Sequence, residues 1–221
     1  MYPGMKAWVD YQRKQEEAEG GLHLIKGGFH FADWLALDNE QPGPFGATDP
    51  FYIASAYYFR CTKIIADAAE ILGYEEAPEY KKLAEEIKKA IRATYFDGSG
   101  ACCSKAQTGA AIAIVFGLIE DTAQEEGDRL LQRVAENNGH LNTGFVGTPL
   151  LCPALTKTGH HKTAVDLLLN EDYPSWLYSV NLGATTIWER WNSVLPDGRM
   201  NPEGMNSLNH YSYGSIEAWM Y

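Results

Sequence analysis

The chain has 221 residues, 45% of them hydrophobic, which is enough to bury a substantial core and reads as one domain over residues 1–221. Its 18 basic and 29 acidic residues leave a net charge of −11, and no Lys/Arg stripe offsets it, so nucleic acid and anionic membrane surfaces are poor partners. No apolar run approaches the ~20 residues of a membrane span, and the charged opening segment lacks the apolar region of a signal peptide.

Residues 1–19 read as a helix, with Met5, Trp8, Val9 and Gln12 on one side, a charge run following, and Gly20 and Gly21 as the stop. Residues 27–46 are Gly/Pro-rich and irregular, a loop able to build a site, and contain FHFADWLALD. Helical spacing then takes over, from an N-cap at Thr48 or Asp49 through Ile53, Tyr57, Cys61, Ile64, Ala68 and Ile71, to a stop at Gly73. Pro78 opens the next helix, whose Tyr80, Leu83, Ile87, Ile91 and Tyr95 form one apolar stripe.

Residues 107–119 are apolar almost all round, which predicts a helix buried on most sides. Thr122 and Glu125 then match a capping box ahead of Leu130, Leu131 and Val134, and Gly139 closes that helix. The apolar segment 144–155, the amphipathic 161–169 and the short 175–182 follow. Buried and amphipathic helices therefore alternate, joined by short links. That pattern predicts an all-α fold of antiparallel helix hairpins in two layers, an α/α toroid, with an α-solenoid as the structural alternative.

The chemistry concentrates in residues 183–191, GATTIWERW, where Glu189 lies between Trp188 and Trp191 with Arg190 beside it. A carboxylate beside large aromatic planes suits sugar chemistry, because sugar rings stack on apolar faces while the carboxylate handles protons. The β-branched run Thr185, Thr186 and Ile187 favours an extended strand, with Ile187, Glu189 and Trp191 on one face and Trp188 and Arg190 on the other. A Trp-rich core segment with structural ion pairs is the competing reading. Asp33 and Trp34 repeat the acid-beside-indole theme: Asp33 is a candidate for binding sugar hydroxyls and Trp34 for stacking, against a helix N-cap role for Asp33. His210, in SLNHYSYG, sits among polar groups suited to neutral hydroxyls, whereas His140 and Asn142 read as loop caps.

No metal site is expected: His160 and His161 lack an acidic partner at ligand spacing, and HExxH, P-loop, paired GxGxxG and GxSxG motifs do not occur. Cys61, Cys102, Cys103 and Cys152 follow no disulfide spacing and read as free thiols, which leans toward a reducing, cytoplasmic compartment, with the periplasm as the alternative. A strained disulfide between Cys102 and Cys103 is the competing reading.

Taken together, FADWLA near Asp33, GHLNTGFVGTPLLCPAL from Gly139, YPSWLYSVNLGATTIWERWNS from Tyr173 and SLNHYSYGSIEAWMY from Ser207 resemble the catalytic domain of glycoside hydrolase family 78, the bacterial α-L-rhamnosidases. The four segments occur in the family's order. The resemblance implies an (α/α)6 toroid, hydrolysis of terminal α-L-rhamnosides with inversion, a rhamnose-containing glycoside as partner and no obligatory cofactor. It also implies that Glu189 activates water, that His210 touches the sugar, and that Trp34 with Trp188 or Trp191 contacts it too.

One family segment is missing. The general acid lies in an acidic, arginine-containing stretch of the form DCPxRxERxGWxGD, and nothing of that form precedes Asp33. The expectation is therefore the C-terminal part of a toroid, about four of six hairpins, carrying the base without the acid and inactive by itself. Apolar surface at open edges would then favour self-association. Two other readings compete: a non-catalytic carbohydrate-binding or degenerate toroid domain, and another toroid enzyme such as a trehalase-like or unsaturated glucuronyl hydrolase.

Overall fold

The computed structural model describes residues 1–39 and 43–221. Glu40, Gln41 and Pro42, part of the irregular segment 27–46, lie outside the described residues. The described residues form an all-α architecture with three isolated β-bridges, and no helix among them is long and apolar enough to cross a membrane. Contacts divide the chain into two compact units, Met1–Ala32 with Thr48–Ser104, and Asp33–Ala47 with Lys105–Tyr221.

The first unit holds α1 (Tyr2–Ala18), α2 (Pro50–Leu72) and α3 (Ala77–Tyr95). Asp49 caps α2: its carboxylate accepts from the Phe51 and Tyr52 N–H groups at 2.7 and 3.1 Å, satisfying donors that the first turn leaves open. Gly73, at φ 70°, ends the helix in the left-handed conformation that a Cβ disfavours. In α3 the predicted stripe is the buried one, with Tyr80, Leu83, Ile87 and Ile91 turned inward and packed on α2. Burial of four such side chains contributes on the order of 2 kcal/mol each before conformational entropy is subtracted.

The second unit holds α4 (Gln107–Phe116), α5 (Ala123–Glu136), α6 (Thr148–Lys157), α7 (His161–Leu169), α8 (Trp176–Asn181) and α9 (Glu217–Met220). The expected alternation is present. Helix α4 is buried at nearly every position and packs on α5 and α6, while α6 packs on α7. Helix α5 lies with Leu130 and Val134 buried and its charged face outward, except for Glu126. That buried carboxylate accepts from Arg129 Nε at 2.8 Å and Arg133 Nη1 at 3.0 Å.

Two local expectations change. Thr122 is the N-cap of α5, as expected, but the chain enters through a 3-10 turn over Glu120–Thr122, and at φ −121°, ψ 21° the Thr122 hydroxyl makes no cap hydrogen bond to the helix. No disulfide joins the four cysteines; Cys102 is buried and Cys103 exposed, so the vicinal pair is not bridged.

Candidate functional site

Residues 183–191 are not a strand. They run as bends and turns, and the strict alternation of faces is lost: Trp188 and Trp191 are both buried while Ile187 is open to solvent. The reason lies in the partner the segment finds. It lies against residues 207–210, where Glu189 N donates to Ser207 O at 2.9 Å and His210 N donates to Ile187 O at 2.8 Å, with the Thr186 hydroxyl on Leu208 O. These bonds bring the two most distinctive sequence segments together at an irregular edge that no ladder continues. Such short irregular pairing satisfies the backbone without a sheet.

Glu189 is half-buried. Its Oε2 accepts from the Ser207 N–H at 3.1 Å, which orients the carboxylate, and Oε1 makes no hydrogen bond among the described residues. A fixed carboxylate with one open oxygen can accept a proton from a neighbouring water or hydroxyl. Arg190 does not orient it. The guanidinium pairs instead with Glu203, Nη1 to Oε2 at 3.0 Å, on the side of the segment that lines a cavity of about 590 Å³ with Leu35, Pro44, Trp191, Asn192 and Met205.

Of the three indoles offered by the sequence as sugar platforms, two are buried. Trp191 is 5% exposed: its ring stacks on Tyr213 at 3.9 Å between centroids, meets Trp176 edge-on at 5.2 Å, and donates from Nε1 to Thr143 O at 3.3 Å. What little of it is exposed lies in a residue that lines the cavity. Trp188 is 6% exposed and presents no open face. Trp34 keeps more surface, half-exposed and packed edge-on against Phe45 at 5.2 Å.

Asp33 departs from its expected role as a hydroxyl binder. It is 1% exposed, and both carboxylate oxygens are spent within the protein. Oδ2 accepts from the Thr108 hydroxyl and from Gly144 N at 2.9 Å, and Oδ1 from Val146 N at 2.7 Å and Gly147 N at 3.1 Å. Four donors fill the four lone-pair positions of a carboxylate, leaving none for a sugar. Burial pushes its carboxyl up from the ordinary carboxylate range, and the four hydrogen bonds pull it back. Nor does Asp33 cap a helix of its own: it gathers the loop 143–147 that leads into α6.

The glycines of that loop are there for close approach. A Cβ on Gly144 would stand 2.2 Å from Trp34 O, and one on Gly147 would stand 2.1 Å from Thr108 Oγ1. Phe145, between them, donates its N–H to Trp34 O at 2.9 Å and lays its ring against His210, 5.0 Å between centroids at 23°. His210 also stacks on Tyr211, which is 85% exposed. Asn142 N donates to Gln107 Oε1 at 3.1 Å, and the His140 ring bonds to Asn138 O at 2.9 Å, so this pair stays in loop construction as expected.

Glu189 and His210 are thus brought to one edge, with Trp34 tied to it through Phe145. Asp33, Trp188 and Trp191 form the frame behind. Thr108, Phe145, Tyr213 and Glu203 are residues that sequence reasoning missed; the GFVG spacing, two glycines around an aromatic, was the one available signal, and it points to Phe145 alone. Among the described residues no group of three or more His, Cys, Asp or Glu side chains could hold a metal ion.

The family described as the bacterial alpha-L-rhamnosidase 6 hairpin glycosidase domain matches residues 1–221. An alpha-L-rhamnosidase of Formosa agariphila is 40% identical over 223 residues, covering 100% of this chain and 24% of that protein. The crystal structure of the Streptomyces avermitilis alpha-L-rhamnosidase complexed with L-rhamnose superposes with a TM-score of 0.87 at 36% identity, covering 100% of this chain and 20% of that one. The native Aspergillus terreus enzyme gives 0.86 at 33%, covering 99% of this chain and 26% of that one. The chain spans 24% of the length of the first two curated relatives it matches. These likenesses carry the α/α toroid class that the alternation of buried and amphipathic helices anticipates.

Proposed function

Because the chain belongs to the bacterial α-L-rhamnosidase six-hairpin glycosidase domain family, we propose that it serves the hydrolysis of terminal α-L-rhamnosides with inversion, Glu189 acting as the general base. The observation that carries this reading is the pairing of residues 186–189 with 207–210. It fixes the Glu189 carboxylate through Ser207 N and sets His210 on the same edge, in a chain similar to an enzyme crystallised with L-rhamnose.

An inverting hydrolase needs two carboxyl groups about 6.5 to 9.5 Å apart, leaving room for the water between base and sugar. Glu189 removes a proton from that water as its oxygen attacks the anomeric carbon, and the bond to the leaving oxygen breaks as an acid protonates it. The acid is supplied by a segment outside residues 1–221. His210 hydrogen-bonds the sugar, Trp34 offers an apolar face, and Trp191 closes the wall. Asp33 and Trp188 hold the frame and do not touch substrate.

The test is hydrolysis of an aryl α-L-rhamnoside by the full-length gene product, followed by proton NMR at early times. The β-anomer of L-rhamnose is the expected first product. The α-anomer would refute inversion, and absence of hydrolysis with retained rhamnose binding would favour the non-catalytic carbohydrate-binding reading. The isolated 221-residue chain is expected to show no turnover, and measurable turnover would contradict an acid on another segment. Self-association belongs to the same proposal: Met5, Trp8 and Tyr11 are exposed on α1, with Trp8 and Tyr11 stacked at 5.8 Å. Sedimentation of the isolated chain should show a mass that rises with concentration, and a constant monomer mass would remove this part.

A further inference from the structure

His210 is held from its backbone, from one ring nitrogen and from its ring faces. Its N–H is committed to Ile187 O, its Nδ1 accepts from Ser212 N at 3.4 Å, and its ring stacks on Phe145 and Tyr211. A neutral imidazole carries one donor and one acceptor nitrogen. With Nδ1 accepting from a backbone N–H, the proton sits on Nε2, which makes Nε2 the donor toward a sugar oxygen.

The Ser212 bond is long, so it does not hold the ring plane unaided. Two rings flank the imidazole plane; Tyr211 is largely exposed, whereas Phe145 has little freedom of its own. Its N–H is on Trp34 O, its ring is braced edge-on by the buried Tyr213 at 5.5 Å, and the residues on either side of it are bound to Asp33. Gly144 lets the loop approach Trp34 O and the Asp33 carboxylate closely, and Gly147 lets it approach the Thr108 side chain.

We propose that Phe145 is a positioning residue for His210, its ring fixing the imidazole plane and thereby the tautomer that donates from Nε2 to the substrate, with Asp33 anchoring the loop that carries it. The kinetic consequence rests on the rhamnoside-hydrolase reading; the ring-positioning consequence does not. Preorganised geometry of this kind is felt mainly in binding when the positioned group contacts substrate in both ground and transition states.

The experiment compares Phe145→Leu and Phe145→Tyr in the full-length gene product, alone and combined with His210→Ala. Nitrogen-15 NMR of the His210 ring, assigned by its loss in His210→Ala, should show the Nε2–H tautomer in the unaltered protein and in Phe145→Tyr, and a mixed tautomer in Phe145→Leu. The KM for an aryl α-L-rhamnoside should rise about tenfold in Phe145→Leu, with kcat changed less, and by less than about threefold in Phe145→Tyr. In the His210→Ala background Phe145→Leu should add little further, since the residue it positions is gone.

An unchanged His210 ring pattern in Phe145→Leu would overturn the proposal, as would fully additive kinetic losses. If the unaltered protein hydrolyses no rhamnoside, the functional reading fails and the NMR comparison still decides the positioning one. Phe145→Met carries the same comparison should Phe145→Leu not fold.

Discussion

Asp33 and Glu189 look alike in the sequence, each a single acid against an indole, and they differ in what surrounds their oxygens. Asp33 is fully buried, with every lone-pair position taken by Thr108, Gly144, Val146 and Gly147. Glu189 is half-buried, and among the described residues its carboxylate is held by Ser207 N through Oε2 alone. A carboxylate whose acceptors are all spent on the chain's own donors builds structure, whereas one fixed at a single oxygen retains capacity for a proton. Counting occupied lone pairs separates the two roles where the neighbouring residue types do not.

Four substitutions break or sharpen that contrast. Glu189→Gln keeps the shape and removes the proposed base, so kcat of the full-length gene product should fall by about 10²- to 10⁴-fold, read by steady-state hydrolysis of an aryl α-L-rhamnoside. Asp33→Asn is next. It turns an amide NH₂ toward two of the four donors, leaving them unpaired in the interior, at a cost of about 3 kcal/mol; thermal denaturation should show a drop on the order of 10 °C.

Gly144→Ala acts on the same anchor from the other side. Its Cβ would overlap Trp34 O at 2.2 Å and Ala36 N at 2.6 Å, backbone atoms that cannot swing away, so denaturant titration should register about 1–3 kcal/mol lost. Glu203→Gln is the smallest. Arg190 is well covered, but the Glu203 side chain is 71% exposed, and solvent screening limits that pair to under about 0.5 kcal/mol, a change near the resolution of the same titration.

What the sequence made legible follows the range of the interactions. The stop at Gly73, the cap at Asp49, the buried character of α4 and the span of α7 depend on residues within a turn or two, and each stands where local pattern puts it. The side-chain bond of the capping box at Thr122 and the strand over 183–191 also rest on local preference, and both give way, although Thr122 keeps the N-cap position. In the strand's place, Ile187 and Glu189 find their hydrogen bonds with residues about twenty positions later, in a pairing too short and irregular to keep two-fold alternation. Asp33 shows the same limit more sharply, since its partners are at 108 and at 144–147, and nothing in FADWLA reports them. Stacking of Trp191 on Tyr213 was equally out of reach, so an indole that suggested a sugar platform serves to build the frame.

The most direct test of the account measures Glu189→Gln and Asp33→Asn side by side in the full-length gene product, recording kcat, KM and melting temperature for each. Glu189→Gln should lose about 10²- to 10⁴-fold in kcat with its melting temperature unchanged, while Asp33→Asn loses melting temperature and, assayed below that point, keeps kcat within about tenfold. A Glu189→Gln enzyme turning over at near-normal kcat, or an Asp33→Asn enzyme as stable as the parent but inactive, would contradict the assignment of chemistry to the first carboxylate and architecture to the second.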